Sequence, residues 1–232
     1  MPTSQGHPNL PNHALRWPSR RPIHLCDNFF DSPKIQGINA SSYDWWYFDA
    51  IGTDGVSSLA VVFFVEANRS GFTVTENFTN MDFIQISGAF PNGTVFSDFL
   101  FADNAIVSTI GDGSSGLWNN TGISWAGSPD LQDYVLTLDA ENLGYKGSFS
   151  MHSVSMKHDL LRVQGIANRS TSTYCPTPLP LQPQTRQRLS GGTLRSWANA
   201  VPDAETTVNV TIFGSELSFV GTGYHDKPGY GR

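Results

Sequence analysis

Two short segments hold the side chains with the most chemistry. Tyr43-Asp44-Trp45-Trp46-Tyr47-Phe48-Asp49 interleaves aromatic rings with two carboxylates. Gly221-Thr222-Gly223-Tyr224-His225-Asp226-Lys227 sets a phenol, an imidazole, a carboxylate and an ammonium side by side after two glycines. Successive side chains of a strand alternate faces, so Asp44, Trp46 and Phe48 would share one face and Tyr43, Trp45, Tyr47 and Asp49 the other. Each face then carries rings and a carboxylate. One use is core packing, with each Asp satisfied by turn amides. The other is a cavity wall, where rings shape an apolar ligand and a carboxylate fixes its polar group. The second segment divides in the same way, between a hydrogen-bonded strand end and part of a binding site.

Other patterns with chemical potential fail on context. Gly111-Asp112-Gly113-Ser114-Ser115-Gly116 spells G-x-G-x-x-G, but Leu117-Trp118-Asn119-Asn120 does not open the helix whose N-terminus would hold a pyrophosphate. His152 and His158 fall ~20 Å apart if one strand runs through both, too far to share a metal. Two cysteines give no zinc framework. No metal site is predicted.

The elements that must position these residues are strands. The 232 residues carry 15% charged side chains, 12% aromatics, 22 Gly and 14 Pro, a balance poor in helix formers and rich in turn formers. Segments Tyr43–Ile51 and Leu59–Glu66 flank Gly52-Thr53-Asp54-Gly55, and Met81–Phe90 and Thr94–Phe101 flank Asn92-Gly93, a strong hairpin signal. Gly122–Ala126, Tyr134–Leu138, Gly147–Ser153, Leu161–Ala167, Thr206–Phe213 and Glu216–Thr222 complete about ten strands. The pattern predicts an all-β antiparallel barrel or sandwich over residues 23–232, preceded by a polar, Pro-rich segment, 1–22, expected to be disordered. Pro176–Gly192 reads as a long surface loop.

The net charge of −6, without any block of like charge, argues against a nucleic-acid partner. The longest apolar run, Leu59–Val65, is far shorter than the ~20 residues of a membrane span. Seven N-x-Ser/Thr sequons stand at Asn39, Asn68, Asn77, Asn92, Asn119, Asn168 and Asn209. They point to glycosylation and the secretory pathway or extracellular space. The first 22 residues lack an apolar signal core, which leaves the cytoplasm as the alternative. Cys26 and Cys175 form one disulfide in the first setting and two thiols in the second.

Taken together, the YDWWYFDA strand and the distant GTGYHDK segment resemble the hydroxyneurosporene synthase and AttH-like superfamily, and within it the fungal lipocalin-like Diels-Alderases. Arg195-Ser196-Trp197-Ala198-Asn199-Ala200-Val201-Pro202 and Val208-Asn209-Val210-Thr211-Ile212 resemble the stretches before and within that branch's final hairpin. The resemblance spans Cys26 to Lys227 and implies a lipocalin-like (calycin-type) barrel. Members of the branch continue into a second, smaller β-barrel, with the substrate between the two. Here Pro228-Gly229-Tyr230-Gly231-Arg232 follows instead. The resemblance therefore implies the larger half of such a protein: a fragment, one part of a cleaved chain, or a one-domain relative.

By resemblance, the expected function is cofactor-independent catalysis of a [4+2] cyclisation, Diels-Alder or hetero-Diels-Alder, of an apolar polyene or enone in fungal secondary metabolism. An apolar cleft would hold the substrate in one near-attack conformer, and polar groups would meet the charge growing on its carbonyl. The residues assigned are Asp44 and Gln85 as polar orienting groups, Trp46, Phe48 and Trp197 as cleft walls, and Tyr224 and His225 as further substrate contacts. Two alternatives stand beside this: a non-catalytic carrier of an apolar metabolite, and an alkene hydratase like the carotenoid-modifying members.

Overall fold

The computed structural model describes residues 31–33, 43–66, 82–154 and 194–231. Eleven strands are present there: β1 (Tyr43–Gly52), β2 (Ser58–Glu66), β3 (Asp82–Ala89), β4 (Val95–Phe101), β5 (Ala105–Ile110), β6 (Gly113–Trp118), β7 (Ile123–Gly127), β8 (Asp133–Ala140), β9 (Tyr145–Ser153), β10 (Leu194–Ile212) and β11 (Ser215–Gly231). The only helical turn among them is a 3-10 turn at Glu141–Leu143. No helix of the described residues is long and apolar enough to cross a membrane. Every strand pair is antiparallel, in the order β4-β3-β2-β1-β11-β10-β9-β8-β7-β6-β5. The chain's last strand thus lies between its first and its tenth.

Alternating sequence builds a two-faced sheet. β8 alternates exposed and buried at every residue, and β1 buries Asp44, Trp46, Phe48 and Ala50 in turn. The sheet curls into a half-barrel around its buried face. Rings from β1 and β2 therefore meet rings from strands several places away: Phe63 stands 4.6 Å from Trp125, Trp46 5.2 Å from Trp125, and Phe48 5.8 Å from Tyr134. Each such side chain contributes roughly 1.5–3 kcal/mol on leaving water. Close approach has a local requirement at Gly116, where an added Cβ would lie 2.1 Å from the Trp125 ring.

The predicted hairpins form. Asp54 Oδ1 accepts the backbone N–H groups of Val56 and Ser57, both at 2.9 Å, which fixes the β1–β2 turn. Gly93 takes the left-handed conformation its turn needs, with φ +81°, and Asn92 Oδ1 accepts the N–H of Thr94 at 2.9 Å. Two strands were not predicted, β5 and β6. In the sequence the glycines of 111–116 are weighed only as a dinucleotide fingerprint, whereas Gly113 and Gly116 stand in the β5–β6 ladder. β10 and β11 are much longer than expected. The register of β10 against β11 shifts between Asn199 and Val201 and again between Val201 and Ala204, which lets Pro202, with no N–H to donate, sit within a strand. The expected strand Leu161–Ala167, the loop Pro176–Gly192 and the segment 1–22 lie outside the described residues.

Candidate functional site

Sheet parity divides the predicted site residues between two faces. Asp44, Trp46, Phe48 and His225 point into the half-barrel and are fully buried. Gln85 and Tyr224 are half-buried and lie on the outer face, since Gln85 is in register with Val62, and Val62 with Tyr47. Asp44 and Gln85, expected together as orienting groups, are therefore on opposite sides of the sheet. The cause is a count of residues: Asp44 aligns through Val65 with Asp82, and Gln85 lies an odd number of positions beyond it. Trp46 and Phe48, expected as walls of an open cleft, are packed among core rings instead. Trp197 lies in β10 in register with Pro228, and its side chain is outside the described residues.

The inner group is built around Asp31, which sequence reasoning missed because it lies in a short segment with no pattern. Its Oδ2 accepts from the Ser114 hydroxyl and from the Tyr134 hydroxyl at 3.0 Å. Its Oδ1 lies 2.9 Å from His225 Nε2. Its carbonyl accepts from Trp46 Nε1 at 3.0 Å, and its N–H donates to the Asp112 carbonyl at 3.0 Å. His225 Nδ1 lies 2.9 Å from the Tyr47 carbonyl, which can only accept, so Nδ1 carries a hydrogen. Ser114, Tyr134 and His225 thus converge on the one Asp31 carboxyl, with Ser114 and Tyr134 as its donors at Oδ2. The imidazole stacks on Phe48 at 3.9 Å. Burial, and then the Asp31 charge, push the Tyr134 phenol well above its ordinary pKa, so it remains a donor.

A second buried pair lies beside the first. Lys227 meets Asp44 in a salt bridge with both side chains out of water, and its ammonium stands 3.9 Å from the Trp46 ring centroid. Trp46 therefore sits between two buried pairs, one at its N–H through Asp31 and one at its ring face.

The outer face carries a different arrangement. Trp45, Phe64, Phe83 and Phe101 are in register across β1 to β4, with ring centroids 5.7, 4.6 and 6.2 Å apart in turn. Next to this row, the Tyr47 hydroxyl donates to Asp49 Oδ2 at 2.8 Å and the Tyr224 hydroxyl to Asp226 Oδ2 at 3.0 Å. Tyr47 faces Asp226 across the strands and Asp49 faces Tyr224, a checkerboard of phenols and carboxylates. Burial is the main cause that raises the pKa of both phenols, with the carboxylates adding to it. Burial also raises that of Asp49, against the Tyr47 hydrogen bond. The phenols therefore hold their protons at neutral pH, each donating its one hydrogen to its carboxylate and keeping lone pairs that can accept. No group of three His, Cys, Asp or Glu among the described residues is placed to hold a metal. His152 is paired with Asp133 at 2.8 Å on the exposed surface, and His158 lies outside the described residues.

This curled antiparallel sheet is a lipocalin-like β fold, and the crystal structure of CghA with Sch210972 shares it, with a TM-score of 0.58 at 19% identity over 84% of this chain and 47% of that one. The model of the Diels-Alderase-like family matches residues 23–228, and the chain belongs to that family. It is 31% identical to the quinolone epoxide rearrangement protein asqO of Emericella nidulans over 198 residues, 84% of this chain and 48% of asqO. It is 23% identical to the Diels-Alderase pyiF of Pyricularia grisea over 205 residues, 85% of this chain and 42% of pyiF. The chain spans about half the length of these relatives.

Proposed function

We propose that this chain supplies the larger β half of a cofactor-independent cyclase in fungal secondary metabolism, and that its reaction is a [4+2] closure of an apolar polyene or enone. The family match over residues 23–228 carries this reading. An apolar surface that holds a flexible polyene in one near-attack fold removes conformational entropy from the barrier. Donors aimed at a conjugated carbonyl stabilise the electron density that grows there. We assign the donors to the Gln85 amide and to Tyr47 and Tyr224, whose hydroxyls would turn from Asp49 and Asp226 to the substrate carbonyl, with Trp45 and Phe64 as the apolar platform, because these side chains keep solvent access. Asp44, Trp46, Phe48 and His225 we assign to holding the sheet that presents them. In this proposal a second β domain, for which the greater length of the relatives leaves room, covers the platform.

The test is incubation of the purified chain with linear polyenes bearing a conjugated carbonyl, read by chiral chromatography. Conversion to one stereoisomer, slowed roughly 10- to 1000-fold by Tyr224→Phe or Gln85→Ala, is the expected result. Unchanged rates in both variants remove the outer-face assignment, and saturable binding without conversion points to the carrier.

One observation favours a second reading. The identity to asqO, 31%, exceeds that to pyiF, 23%, and asqO is named for the rearrangement of a quinolone epoxide. An epoxide rearranges when an acid protonates its oxygen, one C–O bond breaks, a neighbouring group shifts with its electron pair to the carbon left electron-poor, and the oxygen returns the proton to the acid as it closes to a carbonyl. Asp49, its carboxyl kept protonated more readily by burial, is the acid we assign, with Tyr47 beside it. Consumption of an aryl epoxide that is lost in Asp49→Asn separates this reading from the pericyclic one.

A further inference from the structure

The strand order ends at β4 on one side and β5 on the other. An edge strand offers unpaired N–H and C=O groups to any passing strand, and proteins guard edges with inward charges, prolines or bulges. β4 is guarded in this way. Asp98 points inward and accepts from the Tyr145 hydroxyl at 2.8 Å and from the Phe99 N–H at 2.9 Å. β5 is not. Its sequence, Ala105-Ile106-Val107-Ser108-Thr109-Ile110, contains no charge, proline or glycine, and its ladder with β6 runs unbroken from Ala105↔Trp118 to Ile110↔Gly113. Ala105, Val107 and Thr109 share the face of buried Trp118, while Ile106, Ser108 and Ile110 face out. Ile106 is 51% exposed, Ile110 57%, and Leu117, opposite Ile106 on β6, 43%. No strand of the described residues pairs with the free side of β5.

We propose that β5 is a self-association edge, pairing antiparallel with β5 of a second copy of this chain about a two-fold axis through Ser108. The strand's own pattern selects this occupant. With Ser108 on the axis, Ile106 of each copy lies opposite Ile110 of the other, and Val107 lies opposite Thr109. Apolar side chains meet apolar ones twice on the outer face, and no like charges meet although each copy carries a net −6. A slip of one residue would set outer residues against inner ones, and a slip of two would set isoleucine against serine. The interface is isologous and closes at two copies. Six residues of edge bury less than a standard interface, so the dimer is weak and depends on concentration.

The experiment is sedimentation of the purified full chain from micromolar to millimolar concentration, beside Ile106→Lys, Ser108→Cys and, on the guarded edge, Ser97→Cys. The expected result is a dimer fraction that rises with concentration and whose midpoint moves at least tenfold upward in Ile106→Lys, with the β-sheet circular dichroism unchanged. Under mild oxidation Ser108→Cys forms a covalent dimer that neither the parent nor Ser97→Cys forms. A chain that stays monomeric with no added cross-link in Ser108→Cys overturns the proposal, as does a dimer indifferent to Ile106→Lys. A monomer that nonetheless binds a synthetic peptide of the β5 sequence overturns the second copy in favour of a foreign strand.

Discussion

His225 Nε2 and Asp31 Oδ1 stand 2.9 Å apart, 194 residues apart in sequence, with both side chains out of water. Removing the shared carboxyl leaves buried polar groups without their partner, each at a cost of about 1–3 kcal/mol. Asp31→Ala should lower the unfolding free energy by about 3–5 kcal/mol, because Ser114, Tyr134 and His225 all lose it. Asp31→Asn, which keeps an acceptor oxygen, should cost less. Denaturant midpoints with unchanged slopes measure both, and equal, small losses would show that the clasp contributes little.

From the sequence, Asp44 is assigned as a polar orienting group. In the fold it is buried against Lys227, which gives it a part in stability. Asp44→Ala should destabilise by about 3–5 kcal/mol, and Asp44→Leu combined with Lys227→Met should recover most of the loss, since replacing a whole buried pair by apolar groups is often neutral. A double variant no more stable than the single would mean that the pair does more than neutralise itself.

Asp82, at the inner start of β3, has its pKa pushed up to about 6 by burial, against one hydrogen bond from the Ala105 N–H. A carboxyl raised in the folded state binds its proton more tightly there than in the unfolded chain. Its contribution is therefore fully favourable below the ordinary value near 4 and is lost as pH rises through about 6. Asp82→Asn should stabilise the chain at pH 7 by roughly 1–3 kcal/mol and flatten the slope of stability between pH 4 and 6. Thermal melts across that interval decide it: parallel curves for parent and variant would refute the raised pKa.

The sequons are not equivalent in the fold. Asn92 is exposed at a turn tip and Asn209 is exposed on β10, whereas the half-buried Asn119 donates its side-chain amide to Asn104 Oδ1 at 2.6 Å. Expression through a eukaryotic secretory pathway, the localisation proposed from the sequons, should give glycan on Asn92 and none on Asn119. Glycopeptide mass spectrometry distinguishes the sites, and an occupied Asn119 would show that modification precedes folding there. Asn39, Asn68, Asn77 and Asn168, with Cys26 and Cys175, lie outside the described residues.

What the sequence made legible was local. The face alternation of Tyr43–Asp49 holds residue by residue, and the turns at Gly52–Gly55 and Asn92-Gly93 close the expected hairpins, because these depend on neighbours a few positions away. Which face looks inward is a property of the whole sheet, set by where the curl brings Trp118, Trp125 and Tyr134. Asp44 and Gln85 were grouped without that knowledge and so fell on opposite sides. Asp31 gave no signal at all, since its partners Ser114, Tyr134 and His225 come from three distant strands.

The placement of β11 between β1 and β10 has a consequence for how the chain is made. As the polypeptide leaves the ribosome, β1 to β4 can pair as one meander and β5 to β10 as another, each from local hairpins. Nothing among the described strands joins the two until the final strand emerges. Until then both meanders carry an open edge, at β1 and at β10, and Asp31 has no imidazole to meet. Long-range closure of this kind is slow, and a nascent chain stalled before His225 would hold two sticky half-sheets exposed to chaperones and to each other.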